Sequence, residues 1–265
     1  MISEFDKAAV SYDVDFTETK IGLLQRKSVY KNVEALLRKP TKKLNILEVN
    51  CGTGQDATFM AKQGHRVFAT DISSQMISEA TRKVANQKLD NLISLQQADM
   101  LELEGICSTS SFDLIFSNFG GLNCLSPSQI TEMGSVFSQL LKPQGKLCLV
   151  IMPGFCLWEC SYFLLKLKLK EAFRRTRKSV FANVSGELVE TWYYSPNKFT
   201  SLIGNHFIKR KILPIGFFIP PSYLESFFRN KPKTLRTLHK LERIFSQFSW
   251  LSAWSDHYYI ELNKK

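Results

Sequence analysis

Residues 45–57 read NILEVNCGTGQDA, and the order of residue types in that stretch decides the fold. The apolar run 44–49 suits a strand buried on both faces, Gly52-Thr53-Gly54 a tight turn, and the residues from Gln55 a helix. A turn of this kind needs glycine so that the backbone can approach a ligand and the helix can pack close to the strand. A glycine pair alone says little. Here residues 66–70 give a second strand after the helix, closing on Asp71, 19 residues past Gly52. A carboxylate at that distance can accept from ribose hydroxyls.

The same alternation continues outward. Ser73 or Ser74 can cap a helix with Met76, Ile77, Ala80 and Val84 on one face. Residues 92–97 form a third strand with Asp99 at its carboxyl end, and residues 112–117 a fourth. Ser126-Pro127-Ser128-Gln129 is a helix start, followed by the stripe Ile130, Met133, Val136, Phe137, Leu140 and Leu141, with a stop at 142–145 and a fifth strand at 146–152. Upstream, Val29, Val33, Leu36 and Leu37 mark a helix ending before Pro40. Alternating strands and helices predict an α/β protein with a parallel sheet and right-handed crossovers, binding its ligand at the strands' carboxyl ends. Asp71, Asp99 and Asn118 all fall at such ends, which is the physical argument for a site there.

The composition, 44% hydrophobic and 22% charged, is that of a folded chain. Its net charge of +11 is localised: residues 166–178 carry +6 and residues 229–243 carry +5, so the remainder balances. Six cysteines without a CxxC read as reduced thiols rather than a metal site, and the polar start ISEFDKAAVSYD is unlike a cleavable signal. The expected location is cytoplasmic, with no metal bound.

Residues 48–54 (EVNCGTG), Asp71-Ile72-Ser73, Ala98-Asp99-Met100 and residues 112–118 (FDLIFSN) resemble, in order, the signatures of class I S-adenosylmethionine-dependent methyltransferases. The resemblance covers residues 44–152. It implies a Rossmann-like, seven-stranded, mostly parallel sheet whose seventh strand, 257–262, inserts antiparallel beside the fifth, with helices on both faces; 207–218 would be the sixth. By resemblance the cofactor's amino acid end lies on the turn of Asn50, Gly52, Thr53 and Gly54, with Glu48 anchoring it. Asp71 takes the ribose, Ile72 and Met76 flank the adenine, Asp99 accepts from its amino group, and Met100, Ser117 and Asn118 complete the pocket. Tyr12, in an N-terminal segment that folds over the cofactor in such enzymes, is either a contact or an ordinary packing tyrosine. Asn50 stands where the family has glycine, and asparagine tolerates a left-handed backbone.

The expected organisation is a cofactor-covering segment and helix (1–43), the cofactor-binding core (44–153), a helical and strand lid (154–194), completion of the core (195–219), a basic helical insertion (220–255) and a final strand (256–265). His257, preceded by Asp256 at the ligand side of the last strand, is a candidate general base, with a packed ring as the alternative; Glu159, among apolar residues just beyond the fifth strand, is a candidate substrate contact. Trp158, Tyr162, Leu165, Leu169 and Phe173 among lysines read as a lid helix, or as a contact with an acidic membrane surface. Aromatics in both insertions point to a small hydrophobic or aromatic acceptor, methylated on oxygen or nitrogen. Two other readings stay open, an RNA methyltransferase whose basic insertions track phosphates and a cofactor-binding scaffold without activity. The Asn/Asp-Pro-Pro-aromatic motif of DNA amino-methylating enzymes does not follow the fourth strand, so methylation of DNA bases is not expected.

Overall fold

A computed structural model describes residues 5–38, 42–184 and 186–265. Pro40, the expected stop of the first helix, lies outside the described residues, as do Ile2, Ser3 and Glu4 of the polar start. Helix α1 (Lys20–Leu37) begins where the Thr19 hydroxyl accepts from the Gly22 amide, 2.9 Å. The glycine stretch then sits between β1 (Asn45–Val49) and α2 (Gln55–Lys62), followed by β2 (Arg66–Asp71), α3 (Ser74–Asn86), β3 (Ile93–Gln97) and β4 (Phe112–Ser117). Helix α4 (Pro127–Leu140) starts on the expected capping box of Ser126 and Gln129.

Strand β5 (Leu141–Ile151) starts earlier than its apolar run suggests. Phe112 pairs with Leu141 and Leu114 with Lys146, so residues 142–145 are a detour within the strand, with Gln144 at φ +63°. Two further strands, β8 (Phe207–Ile215) and β9 (His257–Lys264), follow a ribbon of β6 (Val180–Val184) and β7 (Glu187–Thr191). The sheet order is β3-β2-β1-β4-β5-β9-β8. Strands β1 to β5 pair in parallel, and β9 runs antiparallel between β5 and β8.

Period-two alternation divides the core between the two faces of the sheet. Leu47, Ile115, Leu147, Leu149 and Tyr258 pack on one face, and Ile46, Leu114, Phe116, Cys148 and Tyr259 on the other. Each such side chain contributes roughly 1.5–3 kcal/mol of transfer free energy. The parallel strand tips on one edge are thereby held in register, Val49 opposite Thr70 and Asp71 opposite Gln97.

The two insertions pack on each other. Helix α5 (Leu157–Leu165) places Trp158 edge-on to Phe228 and Tyr162 beside Tyr223. Helix α6 (Pro196–Ile203) precedes β8, and α7 (Pro232–Phe245) forms most of the second insertion. The Glu242 carboxylate on α7 accepts from the Gly216, Phe217, Phe218 and Ile219 amides, fixing that helix to the end of β8. No helix among the described residues is long and apolar enough to cross a membrane.

Candidate functional site

The turn after β1 carries three left-handed residues, Asn50 (φ +58°), Gly52 (+53°) and Gly54 (+73°). Asparagine accepts this conformation more readily than other residues with a Cβ. Its side chain is also held in place. The Ser117 hydroxyl lies 3.3 Å from Asn50 Oδ1, and Gly121 packs so close that a Cβ built there would fall 2.5 Å from Asn50 Cγ.

Asp71 closes the turn from the tip of β2. Its Oδ2 accepts from the Gly52 amide (2.8 Å) and its Oδ1 from the Ser73 amide (2.9 Å). Ser73, rather than Asp71, caps α3, its Oγ accepting from the Met76 amide at 3.1 Å. Asp71 is thus a buried carboxylate oriented by two backbone donors, each oxygen keeping acceptor capacity for a ligand. Burial pushes it above the usual carboxylate range, and the Ser73 and Gly52 amides oppose the shift.

A cavity of about 360 Å³ opens beside this carboxylate. Its walls include Tyr12, Asn50, Gly52, Asp71, Ile72, Met76, Asp99, Met100, Asn118 and Phe119, and Val189 and Glu190 of the ribbon reach it from above. The size suits a nucleoside-sized ligand. Asp99 uses Oδ1 to accept from the Leu101 amide at 3.0 Å, capping a short helical turn. Tyr12 lies 3.9 Å from where a Gly52 Cβ would stand, and burial, opposed by Arg26, pushes its hydroxyl up to about 12.

The N-terminal segment is pinned over the turn by charge. Asp13 accepts from the Thr53 hydroxyl (2.7 Å) and pairs with Lys83 (2.7 Å), while Asp6 accepts from the Ser73 hydroxyl at 2.5 Å. Burial raises Asp13, but the Lys83 and Thr53 hydrogen bonds outweigh it and hold the carboxyl low.

Four residues expected at the cofactor do not line the cavity. Thr53 spends its hydroxyl on Asp13, Gly54 packs on Ala80, and Ser117 sits behind Asn50. Glu48 is buried beneath the turn with Oε2 unpartnered, and burial next to Asp56 drives its carboxyl well above the usual range. Asn123, in the turn after β4, clamps Met152: its Nδ2 donates to the Met152 carbonyl (3.1 Å) and its Oδ1 accepts from the Met152 amide (2.9 Å).

The three candidate catalytic groups lie in one buried ionic cluster away from the cavity. Glu159 accepts from Arg174 Nε (2.7 Å) and Nη2 (2.9 Å), and from Arg175 Nε (3.1 Å) and Nη2 (3.0 Å). Burial alone would raise it, but the arginines hold it below its ordinary value. Both Glu159 carboxylate oxygens are thus committed to arginines, and Glu159 does not line the cavity where the substrate contact was expected. Asp256 accepts from Arg175 (2.8 Å) and Gln25 (3.1 Å). His257 Nδ1 is 3.2 Å from Asp256 Oδ2 without hydrogen-bond alignment. The imidazole packs edge-on against Phe119, with centroids 5.4 Å apart, and Phe119 in turn lines the cavity. His257 is thus one ring removed from the site.

Sequence reasoning missed the network behind Phe119. Asp56 accepts from Arg26, from the Tyr30 hydroxyl (2.7 Å) and from Asn118 Nδ2 (3.0 Å), while the Arg26 guanidinium stacks 4.9 Å from the Phe119 centroid. The available signal was the spacing of Arg26, Val29, Val33 and Leu37, which puts an arginine on the buried stripe of α1.

Residues 46–145 match a family model described as a methyltransferase domain. A protein of Geobacillus sp. (strain WCH70), provisionally named a methyltransferase, is 38% identical over 103 residues, 38% of this chain and 40% of that protein. A tRNA/tmRNA (uracil-C(5))-methyltransferase of Escherichia fergusonii is 24% identical over 115 residues, 37% of this chain and 31% of the relative. The chain thus spans less than half the length of these curated relatives. Among solved structures, a Pyrococcus horikoshii OT3 protein superposes with a TM-score of 0.61 at 17% identity, over 96% of this chain and 99% of that one. The geranyl diphosphate C-methyltransferase of Streptomyces coelicolor A3(2), solved with S-adenosyl-L-homocysteine, gives a TM-score of 0.56 at 11% identity, over 89% and 79%. Residues 46–145 thus match a methyltransferase domain, and the chain shares the Rossmann-like fold of these solved structures.

Proposed function

We propose that this chain transfers a methyl group from S-adenosylmethionine to a small, apolar or aromatic acceptor. The observation that carries the reading is Asp71, a buried carboxylate fixed at the tip of β2 by the Gly52 and Ser73 amides and facing a cavity of nucleoside size. The residues present fit that cofactor: an acid for the ribose diol, Ile72, Met76 and Met100 for the flat base, Asp99 for an amino group, and a left-handed turn for the amino acid tail. When bound, the cofactor supplies an electrophilic methyl group together with its own leaving group.

The protein's contribution is positioning and exclusion of water. Phe5, Tyr12 and Phe119 wall the cavity with aromatic surface, and Leu125 and Val189 add aliphatic surface. These walls suit a hydrophobic acceptor. Tyr12 and Glu190 are among the polar residues at the cavity, and Glu190 already accepts from the Ser179 hydroxyl at 2.7 Å.

Methylation of RNA is the second reading, favoured by two clefts along β8 lined by Lys27, Lys31, Lys209, Arg210, Lys211 and Arg243. They follow the sheet edge opposite to β3, whereas the cavity lies at the tips of β1 to β4, so a strand tracked there is not led toward the methyl group.

Titration calorimetry with S-adenosylmethionine on the wild type and on Asp71→Ala tests the reading. Losing two hydrogen bonds to a charged acceptor predicts about a hundredfold or greater weakening. Equal affinities, or no binding by the wild type, would remove it. Binding without methyl transfer to any apolar or RNA acceptor would point to a scaffold.

A further inference from the structure

We propose that residues 164–178 form a docking surface for an anionic phospholipid bilayer. The segment reads LLKLKLKEAFRRTRK. Leu165 and Leu167 are 87% and 90% exposed, and Leu169, Leu164 and Phe173 also stand open to solvent. A single exposed leucine needs no explanation, but a contiguous run does. Lys166, Lys168 and Lys170 alternate with the leucines, and with Arg177 and Lys178 they make five exposed basic side chains against Glu171.

The exposure is built into the fold. Directly after these leucines, Arg174 and Arg175 anchor the chain to the buried Glu159, and Arg175 also bonds Asp256 at the start of β9. On the other side, Trp158 Nε1 donates to the Phe217 carbonyl at 3.0 Å, so the inner face of α5 is committed to the second insertion. With both ends held, the chain between them turns through a left-handed Leu167 (φ +57°) and presents its leucines outward. Tyr223 stands beside this patch, 5.6 Å from Tyr162, half exposed with its hydroxyl attached to an apolar ring.

The combination selects the partner. Lysines and arginines are attracted to acidic lipid headgroups, and leucines between them gain free energy by entering the acyl boundary. Nucleic acid rewards the cations but not the aliphatic side chains, because its contacts are phosphate pairing and stacking on aromatic rings. The segment is too short and too charged to span, so it lies on the surface. It leads directly into the ribbon whose Val189 and Glu190 line the cavity. Docking there would bring the cavity's roof to the lipid from which an apolar acceptor is drawn. The docking surface itself does not rest on the methyl-transfer reading, because vesicle binding is read without cofactor.

Flotation of the full chain with vesicles of phosphatidylcholine alone, and of phosphatidylcholine mixed with phosphatidylglycerol, tests the proposal. The wild type should float with the mixed vesicles, far less with phosphatidylcholine, and release at high salt. Leu165→Ser/Leu167→Ser should weaken partitioning by roughly tenfold or more. Lys168→Gln/Lys170→Gln should weaken it by about fivefold per charge. All four side chains are exposed, so unchanged thermal unfolding serves as the folding control. Failure of the wild type to float with either vesicle overturns the proposal, as does a leucine variant that binds like the wild type. Binding of single-stranded RNA that is indifferent to the leucine pair, without vesicle binding, would assign the basic surface to nucleic acid instead.

Discussion

Replacing Arg175 by methionine should loosen the first insertion from the sheet. Its guanidinium donates four hydrogen bonds of 2.8–3.1 Å, two to Glu159 Oε2, one to Asp256 Oδ1 and one to the Asp256 carbonyl. Hydrogen bonds to charged groups are each worth roughly 1.5–3 kcal/mol, so a simple total approaches the whole stability of a domain. The total is not the expected cost, because Glu159 keeps both bonds from Arg174 and Asp256 keeps Gln25. What remains is one carboxylate, Asp256, buried beside an unaligned imidazole. Removing one partner of a buried pair costs about 3–5 kcal/mol, and that is the loss expected for Arg175→Met in urea unfolding at neutral pH. Asp256→Asn in the same background should recover part of it, with a coupling of about 2 kcal/mol in the double-mutant cycle.

The pH dependence of that loss has a definite sign. Glu159 and Asp256 are both held below their ordinary values, so between the two states it is the unfolded chain that binds more protons in acid. Their contribution is full above the ordinary carboxylate range and disappears as the pH falls through the depressed folded values. The gap between wild type and Arg175→Met should therefore stay constant from about pH 6 to 8 and narrow below about pH 4. A cost under about 1 kcal/mol, or strict additivity with Asp256→Asn, would show that the cluster does not hold the insertion.

Two other substitutions probe the turn. Gly121→Ala puts a methyl group 2.5 Å from Asn50 Cγ, so the asparagine must leave Ser117 and disturb the left-handed turn; calorimetry should show roughly tenfold or greater loss of cofactor affinity in a folded protein. An unchanged affinity would mean that Asn50 is not part of the binding geometry. Glu48→Gln should raise the urea midpoint at pH 8 and not at pH 4. Burial lifts the Glu48 carboxyl above its ordinary value, so the folded state holds the extra proton and stability falls as pH rises through that window. A lower midpoint at pH 8 would show that the ionised carboxylate is stabilising.

What the sequence made legible follows from how local each signal is. The strand, turn and helix around Gly52 are encoded within a dozen residues, and Asp71 and Asp99 stand at strand ends that periodicity alone locates. The capping box at Ser126 is equally local. The choice between base and structural residue is not. Glu159 read as a carboxylate in an apolar helix because its partners, Arg174 and Arg175, lie 15 and 16 residues further along, in a stretch that read only as a block of positive charge. His257 read as poised beside Asp256, yet Asp256 is consumed by Arg175 and Gln25, some 80 and 231 residues away in sequence. The seven basic residues of 166–178 therefore do two different things. Arg174 and Arg175 turn inward and neutralise buried acids, which fixes the segment; the lysines before them stay in solvent, which leaves the intervening leucines uncovered. Composition assigns one charge to both groups, and only the fold separates the cations that anchor the segment from those that face outward.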